Sequence, residues 1–169
     1  MKLHRPLLAV LLTLFVSGFA VRAEAQIGVY AGFSGAPVGG SGATSSAFGP
    51  TLGVYVQSGR YISLGGDLRG TFLTRNGFNY FTGAAGPRLA FRAPVLPVRP
   101  YVEGLIGVAS VKDGNGSSSS TNLNYQILGG VDMTILPHVD WRLIEFDYSA
   151  ASGSSVNAKI FTTGLVLRL

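Results

Sequence analysis

Apolar and polar side chains alternate along most of this chain with a period of two residues, the pattern typical of β-strands with two unlike faces. In the first such segment, Ile27, Val29 and Phe33 share one face, whereas Tyr30 and Ser34 share the other. Eight segments of this kind are predicted to be strands, at about residues 26–34, 48–58, 61–72, 78–92, 101–110, 122–133, 139–149 and 158–169. The pattern therefore predicts an all-β protein.

The connections between these segments alternate in character. Four are long or rich in Gly, Ser and Asn, at residues 35–47, 73–77, 111–121 and 149–157. The three connections between them are compact turns, at residues 58–60, 93–100 and 134–138. Long loops at one end and short turns at the other fit an antiparallel up-and-down arrangement, in which an even strand number returns both termini to the same end.

Charged residues fall on one face of the predicted strands, opposite the apolar stripe. These residues are Asp67, Arg69, Arg88, Glu103, Asp132, Glu145, Asp147 and Arg168. In the seventh segment, Trp141 is predicted to share the face of Glu145 and Asp147, opposite Ile144 and Phe146. A soluble barrel would bury the apolar face and leave the charges in water, whereas a membrane barrel has the reverse arrangement. The period alone leaves both arrangements open.

The N-terminal residues 1–25 have the features of a secretory signal peptide. A positively charged start is followed by an apolar stretch over residues 6–21 and then by Ala23-Glu24-Ala25, a cleavage site of the A-x-A type. A transmembrane anchor needs about 20 apolar residues, and this stretch is shorter. The mature chain is therefore expected to span residues 26–169.

The composition of that mature chain excludes several classes of protein. Its 144 residues suffice for one domain, and its ten basic and seven acidic residues give a net charge of +3. This charge is too small and too scattered to indicate a nucleic-acid partner. The chain contains no Cys, so neither a disulfide framework nor thiol chemistry is expected. No mature segment is apolar over 18 residues, so no helical membrane span is expected.

The chain ends within the last predicted strand, and the final residues from Thr162 to Leu169 alternate up to an apolar terminus. This segment resembles the C-terminal insertion signal of bacterial outer-membrane β-barrels, with Leu169 where that family normally has Phe. The segments 100–108, 128–133 and 141–148 resemble strands of the small outer-membrane β-barrel superfamily, which is OmpA/OmpX-like. Aromatic residues near strand ends or on the apolar face, as in membrane-interface girdles, are Phe48, Phe72, Phe78, Phe81, Tyr125, Phe146, Tyr148 and Phe161.

The resemblance covers the whole mature chain and implies an eight-stranded antiparallel up-and-down transmembrane β-barrel over residues 26–169. It implies a location in the bacterial outer membrane, with outer-membrane lipid and lipopolysaccharide as partners and the barrel-assembly machinery as a partner of the C-terminal strand. No cofactor is expected. The first function hypothesis is a non-enzymatic protein with a structural or surface-interaction role through the long loops.

The predicted interior charges admit two interpretations. An eight-stranded barrel is just wide enough for its own side chains to fill, so a plugged interior is expected. Unpaired charges in a dry lumen would be costly, and Arg69, Arg88 and Arg168 are available to pair with the five predicted interior acids. The alternative is a gated ion path, or a protonatable pair formed by Glu145 and Asp147. A narrow channel for ions or small solutes is therefore the second function hypothesis.

A third hypothesis is an enzyme that modifies lipid A, since some outer-membrane barrels carry out this chemistry with His, Ser and an acid. The mature chain has one His, His138, which lies beside Pro137 and near Asp140 in a predicted periplasmic turn. The outer leaflet lies on the opposite side, and no Ser is placed to complete a triad. A non-enzymatic protein is therefore predicted.

Two further alternatives concern a metal and a soluble carrier. The segment from Asp113 to Gly116 has one acid, too few for the six to eight oxygens that calcium needs, so a flexible surface loop is predicted. A soluble lipocalin-like carrier is the fourth function hypothesis. It would need the apolar stripe inside the barrel, which includes Val54, Leu64, Leu89, Ile106 and Leu167.

Overall fold

The computed structural model describes residues 25–38, 45–75, 78–112, 119–152 and 157–169. The predicted signal peptide lies outside these residues apart from Ala25, and the segment from Asp113 to Gly116 lies outside them entirely. Within the described residues, no helix is long and apolar enough to cross a membrane.

Eight strands form a closed barrel. They are β1 (Gln26–Val38), β2 (Ser45–Ser58), β3 (Ile62–Arg75), β4 (Phe78–Phe91), β5 (Val98–Lys112), β6 (Ser119–Leu136), β7 (Val139–Ala151) and β8 (Asn157–Arg168). Each strand pairs antiparallel with its neighbours in sequence, and β8 pairs with β1. The predicted eight-stranded up-and-down barrel is therefore confirmed. Closure satisfies the backbone polar groups within the wall, as a surrounding hydrocarbon phase requires.

The two ends of the barrel differ in their connections. We call the end with turns 59–61, 92–97 and 137–138 the turn end, and the opposite end the loop end. In the first of these turns, Gly59 has a φ of 132°, a conformation that side chains other than Gly rarely adopt. Toward the loop end the strands run further than predicted, with β1 extending to Val38. The residues there are small or polar on both faces, so alternation does not mark the strand ends.

The charged face of the wall points inward and the apolar face points outward. On β3, for example, Asp67 and Arg69 are buried, whereas Leu68 between them is 57% exposed. Apolar residues exposed in the same way include Val29, Leu52, Leu64, Leu89, Val102, Ile106, Ile127, Ile144, Leu165 and Leu167. This arrangement is the one that a membrane barrel requires, and it is the reverse of a soluble carrier.

The predicted facing of Trp141 is wrong. The pairing of β7 with β8 shifts between Arg142 and Glu145, where a β-bulge adds a residue to one strand. Trp141 is 42% exposed on the outer wall, whereas Arg142 is buried in the interior and Glu145 also points inward. An uninterrupted period of two puts residues 141 and 145 on the same face, so alternation alone misplaces every residue before the bulge.

The bulge also explains a polar side chain on the outer wall. The Thr163 hydroxyl donates a hydrogen bond of 2.9 Å to the backbone carbonyl of Arg142. Trp141 Nε1 donates to the same hydroxyl oxygen at 3.2 Å. Thr163 therefore satisfies a carbonyl at the irregularity that would otherwise face the apolar surroundings.

Candidate functional site

The interior of the barrel holds most of the charged residues of the described chain. The buried acids are Asp67, Glu103, Asp132, Asp140, Glu145 and Asp147, and the buried arginines are Arg69, Arg88, Arg142 and Arg168. Every residue in the predicted set of interior charges is among them. Buried charges are tolerated when they are paired and hydrogen-bonded. Their contacts therefore decide whether side chains fill the lumen or leave a path for ions.

A bidentate ion pair crosses the lumen. Arg69 Nη1 donates to Glu145 Oε1 at 2.9 Å, and Arg69 Nη2 donates to Glu145 Oε2 at 2.8 Å. Arg69 lies on β3 and Glu145 on β7, four strands apart in a ring of eight. The two residues therefore join opposite walls with the strongest hydrogen-bond geometry that an arginine and a carboxylate can form.

Arg142 extends this pair toward β6. Its Nη1 donates to Glu145 Oε2 at 2.9 Å, and its Nε donates to Asp132 Oδ1 at 3.0 Å. Arg142 is absent from the predicted set of interior charges because the bulge reverses its facing. The signal that could have revealed it is the spacing of two charged residues, Arg142 and Glu145, by three positions within one strand, which regular alternation cannot place on one face.

Arg88 continues the network from Asp132 and links β4 to three other strands. Its Nη2 donates to Asp132 Oδ2 at 3.1 Å, its Nη1 donates to Glu103 Oε1, and its Nε donates to Gln57 Oε1 at 3.3 Å. The guanidinium carbon also lies 3.8 Å from the ring centroid of Tyr101, a cation–π contact. Arg69, Arg142 and Arg88 thus form one continuous network with the acids between them.

Two tyrosines complete the hydrogen bonding of this network. The Tyr30 hydroxyl donates to Asp67 Oδ1 at 2.8 Å and accepts from Arg69 Nε at 3.1 Å. The Tyr101 hydroxyl donates to Glu145 Oε2 at 2.6 Å. The Arg142 guanidinium lies 4.2 Å from the Tyr30 ring centroid, so the aromatic rings fill the space beside the charges.

A separate ion-pair group lies at the turn end. Arg168 Nε and Asp140 Oδ2 are 2.9 Å apart, and Arg99 Nη1 lies 3.5 Å from the same carboxylate oxygen. Arg168 Nη2 also donates to the backbone carbonyl of Pro137 at 2.9 Å. This group ties the turn beside His138 to the inner wall.

His138 lies in a turn outside the interior charged network. Its side chain is exposed in the turn between β6 and β7, whereas the nearby carboxylate of Asp140 points inward and is paired with arginines. Among the described residues, no group of three or more His, Cys, Asp or Glu side chains is arranged to hold a metal ion.

Asp147 differs from the other interior acids because no arginine of the described residues lies at ion-pair distance from its carboxylate. It is 1% exposed, and its Oδ1 atom has no hydrogen-bond partner in the described residues. The residues paired with Asp147 on the two adjacent strands are the apolar Leu128 and Ile160. The adjacent Gln126 is also buried, with both side-chain amide atoms unpaired in the same part of the structure. The predicted pair of Glu145 and Asp147 is therefore unequal, because Glu145 alone has arginine partners.

The lumen on the loop side of the charges is lined by small polar and apolar residues. The Ser34 hydroxyl lies 2.5 Å from that of Thr51 and 2.7 Å from that of Thr162, and Thr51 donates to Thr71 at 3.0 Å. Beyond them lies an apolar cluster of Ala36, Ala47, Leu73, Tyr80, Ala109 and Ile160. These layers of buried side chains lie between the charges and the loop end.

Aromatic rings form a girdle on the outer wall near the loop end. Three pairs of rings lie on adjacent strands: Phe33 with Phe48 at 5.9 Å, Phe72 with Phe81 at 4.7 Å, and Phe146 with Phe161 at 5.2 Å between centroids. Tyr125 and Tyr148 are exposed on the same wall. The predicted girdle is thus present for these residues, while the side chain of Phe78 lies outside the described structure.

Comparison with known proteins bears on the fold. No family model matches the chain, and no curated protein matches it. Among solved structures, it is similar to Neisserial surface protein A, with a TM-score of 0.63 and 17% identity over 87% of this chain and 98% of that one.

Two other solved structures show the same likeness. The attachment invasion locus protein Ail of Yersinia pestis matches with a TM-score of 0.58 and 17% identity, over 86% of this chain and 99% of that one. The N-terminal β-barrel domain of Pseudomonas aeruginosa OprF matches with a TM-score of 0.54 and 12% identity, over 86% and 98%. The chain therefore has the fold of the small eight-stranded outer-membrane β-barrels, as its OmpA/OmpX-like strands predicted.

Proposed function

We propose that this protein is an integral barrel of the bacterial outer membrane, non-enzymatic, with a structural or surface-interaction role through its loop end. The observation that carries this proposal is the inverted wall, in which Leu68 is exposed between the buried charges Asp67 and Arg69. An apolar outer face with a charged interior is stable in lipid and would be costly in water.

Several features together support an outer-membrane location. The solved structures that resemble the chain are small outer-membrane β-barrels, and Ail of Yersinia pestis is among them. The signal-peptide features of residues 1–25 would direct export, and the apolar outer face of β8, with Leu165 and Leu167, would be read by the barrel-assembly machinery. In this orientation the loop end faces the outside, as the long loops of bacterial barrels do.

The filled lumen favours a structural role over a channel. The ion pair of Arg69 with Glu145 spans the lumen, and Arg142 and Arg88 pack beside it against tyrosine rings. An eight-stranded barrel has room for little more than these side chains. Recognition of a surface partner then falls to the loop end and not to the interior.

Two measurements test this proposal. The refolded protein, run in SDS with and without boiling, is expected to shift in mobility, because a closed barrel resists SDS until heated. In planar bilayers the same protein is expected to be silent, because the charged network closes the lumen. A protein that stays soluble without detergent would overturn the membrane barrel, and steady conductance at neutral pH would replace the structural role with a channel.

Lipid analysis tests the non-enzymatic part. Lipid A from cells with and without the gene is expected to have the same mass spectrum, because His138 is exposed in a turn and its nearest acid, Asp140, is paired with Arg168. A mass change that depends on His138 would overturn this part while leaving the barrel in place.

A further inference from the structure

Gln126 of β6 is a buried amide that takes no part in the charged network. It is 1% exposed, and neither its Nε2 nor its Oε1 atom has a hydrogen-bond partner among the described residues. An amide buried without partners is costly. A neighbouring group that both donates to it and accepts from it would therefore stabilise the barrel.

Asp147 of β7 lies beside this amide. Gln126 is directly opposite Ser149 in the pairing of β6 with β7, and Asp147 precedes Ser149 by two residues on the same inward face. Gln126 and Asp147 are therefore diagonal neighbours at a separation of about 7–8 Å, which a long side chain can span. Asp147 Oδ1 also has no hydrogen-bond partner among the described residues.

The ion pairs among the described residues leave one negative charge of the interior uncompensated. Six buried acids face four buried arginines together with Arg99, which pairs with Asp140, so the difference is six minus five. Each of the other five acids lies within 4 Å of an arginine nitrogen. The uncompensated charge therefore belongs to Asp147.

The groups that face Asp147 do not compensate this charge. The two adjacent strands present the apolar Leu128 and Ile160. The titratable groups that act on it are Arg69 of β3, Tyr80 of β4, Glu103 of β5 and, on its own strand, Glu145. Arg69 is held by its two hydrogen bonds to Glu145, and the two glutamates are like charges. A small neutralising ligand fits this site better than a rearranged ion pair.

We propose that Asp147 and Gln126 form a buried proton-binding site, in which the neutral carboxyl of Asp147 and the amide of Gln126 exchange two hydrogen bonds. A protonated carboxyl has one donor and one acceptor, as the amide has. The O–H donates to Gln126 Oε1, and Gln126 Nε2 donates to the other carboxyl oxygen. An ionised carboxylate has no donor, so it leaves Gln126 Oε1 unsatisfied.

The proton accounts for two observations together. It removes the one uncompensated charge of the interior, and it provides partners for Asp147 Oδ1 and both amide atoms of Gln126. The site lies within the wall of the barrel and is independent of what the loop end recognises. A proton that the folded barrel holds and the unfolded chain releases stabilises the fold, and this stabilisation is lost as the pH rises.

Infrared spectroscopy of the refolded protein in vesicles tests the site directly, because a protonated carboxyl has a carbonyl stretching band that an ionised one lacks. At pH 5 the band is expected in the unmodified protein and absent in Asp147→Asn. The matched control is Asp140→Asn, the same change at a buried aspartate paired with Arg168, and it is expected to keep the band. Gln126→Met is expected to move the band to higher wavenumber, because the carboxyl loses its hydrogen bonds.

The absence of a band at pH 5, or a band that survives Asp147→Asn, would overturn the proton site. A band unchanged by Gln126→Met would remove the amide from it. The heat-induced mobility shift in SDS is measured on every variant, so that only folded barrels are compared.

Urea unfolding provides the second readout. Asp147→Asn is expected to lower the equilibrium constant of unfolding about tenfold at pH 8, where the charge is uncompensated, and by no more than about twofold at pH 5. An equal effect at the two pH values would contradict a bound proton. The unmodified protein is also compared at pH 8 in sodium chloride, potassium chloride and the chloride of a bulky organic cation. Stabilisation by sodium or potassium alone that Asp147→Asn abolishes would assign the site to a metal cation and overturn the proton.

Discussion

The guanidinium of Arg69 on β3 and the carboxylate of Glu145 on β7 are joined across the full width of the barrel by two hydrogen bonds of 2.9 and 2.8 Å. Glu145 also accepts hydrogen bonds from Arg142 and from the hydroxyl of Tyr101. One carboxylate thus holds two arginines and ties opposite walls together. Neutralising Glu145 therefore weakens more hydrogen bonds than neutralising any other acid of the described residues.

Glu145→Gln is therefore expected to lower the free energy of unfolding by about 3–5 kcal/mol, because the buried Arg69 and Arg142 lose the charge that compensates theirs. Urea unfolding of the barrel from lipid vesicles measures this loss. The double variant with Arg69→Met is the control, and its loss is expected to be smaller than the sum of the two single losses. Additive effects, or a loss below about 1 kcal/mol for Glu145→Gln, would contradict the cross-lumen pair.

Neutralising Asp147 is expected to change the free energy of unfolding in the opposite direction. It lies two residues from Glu145 on the same strand face and is equally buried, but no arginine of the described residues lies at ion-pair distance from its carboxylate. Asp147→Asn removes an uncompensated charge and is expected to raise the free energy of unfolding by about 1–3 kcal/mol. The same urea experiment at pH 8 measures it. Destabilisation comparable to that of Glu145→Gln would mean that a cation in the lumen neutralises Asp147.

The inverted wall predicts a depth-dependent cost for charge on the outer face. Leu68 lies in the middle of β3 and Ile62 at its turn-end start, and both are exposed. In lipid vesicles, Leu68→Arg is expected to cost about 2–4 kcal/mol and Ile62→Arg about 0–1 kcal/mol. A soluble barrel with this face in water would tolerate both changes equally. Equal and small costs would therefore show that the outer face does not meet hydrocarbon.

Strand number, order and most facings could be predicted from the sequence, because a wall between two unlike environments imposes a strict period of two. Tyr30, Asp67, Arg69 and Glu103 point inward as that period requires. The pairing within the interior could not be predicted. Arg69 and Glu145 are 76 residues apart, and their contact depends on which strands face each other across the closed barrel.

The ends of the strands and the position of the bulge could not be predicted from the alternation of apolar and polar residues. Near Val38 both faces carry small or polar residues, so no contrast marks the end of β1. At the bulge in β7 the backbone itself departs from the regular pleat, which reverses the facing of Arg142 and hides one of the central cations from a periodicity argument. A spacing of three between charged residues in a strand is the sequence signal for such a bulge.

The bulge places Trp141 on the outer wall, and fluorescence can test this facing because Trp141 is the single tryptophan of the chain. Its ring is exposed on the outer wall, and it pairs across the wall with Leu165. In vesicles its emission is expected to be blue-shifted and quenched by lipids brominated on their acyl chains, because the indole meets hydrocarbon. The matched control carries Trp141→Phe and Leu165→Trp, which places an indole at the paired outward position on β8. Quenching in the control but not in the unmodified protein would put Trp141 inside the barrel, and the bulge would then have to be abandoned together with the interior placement of Arg142.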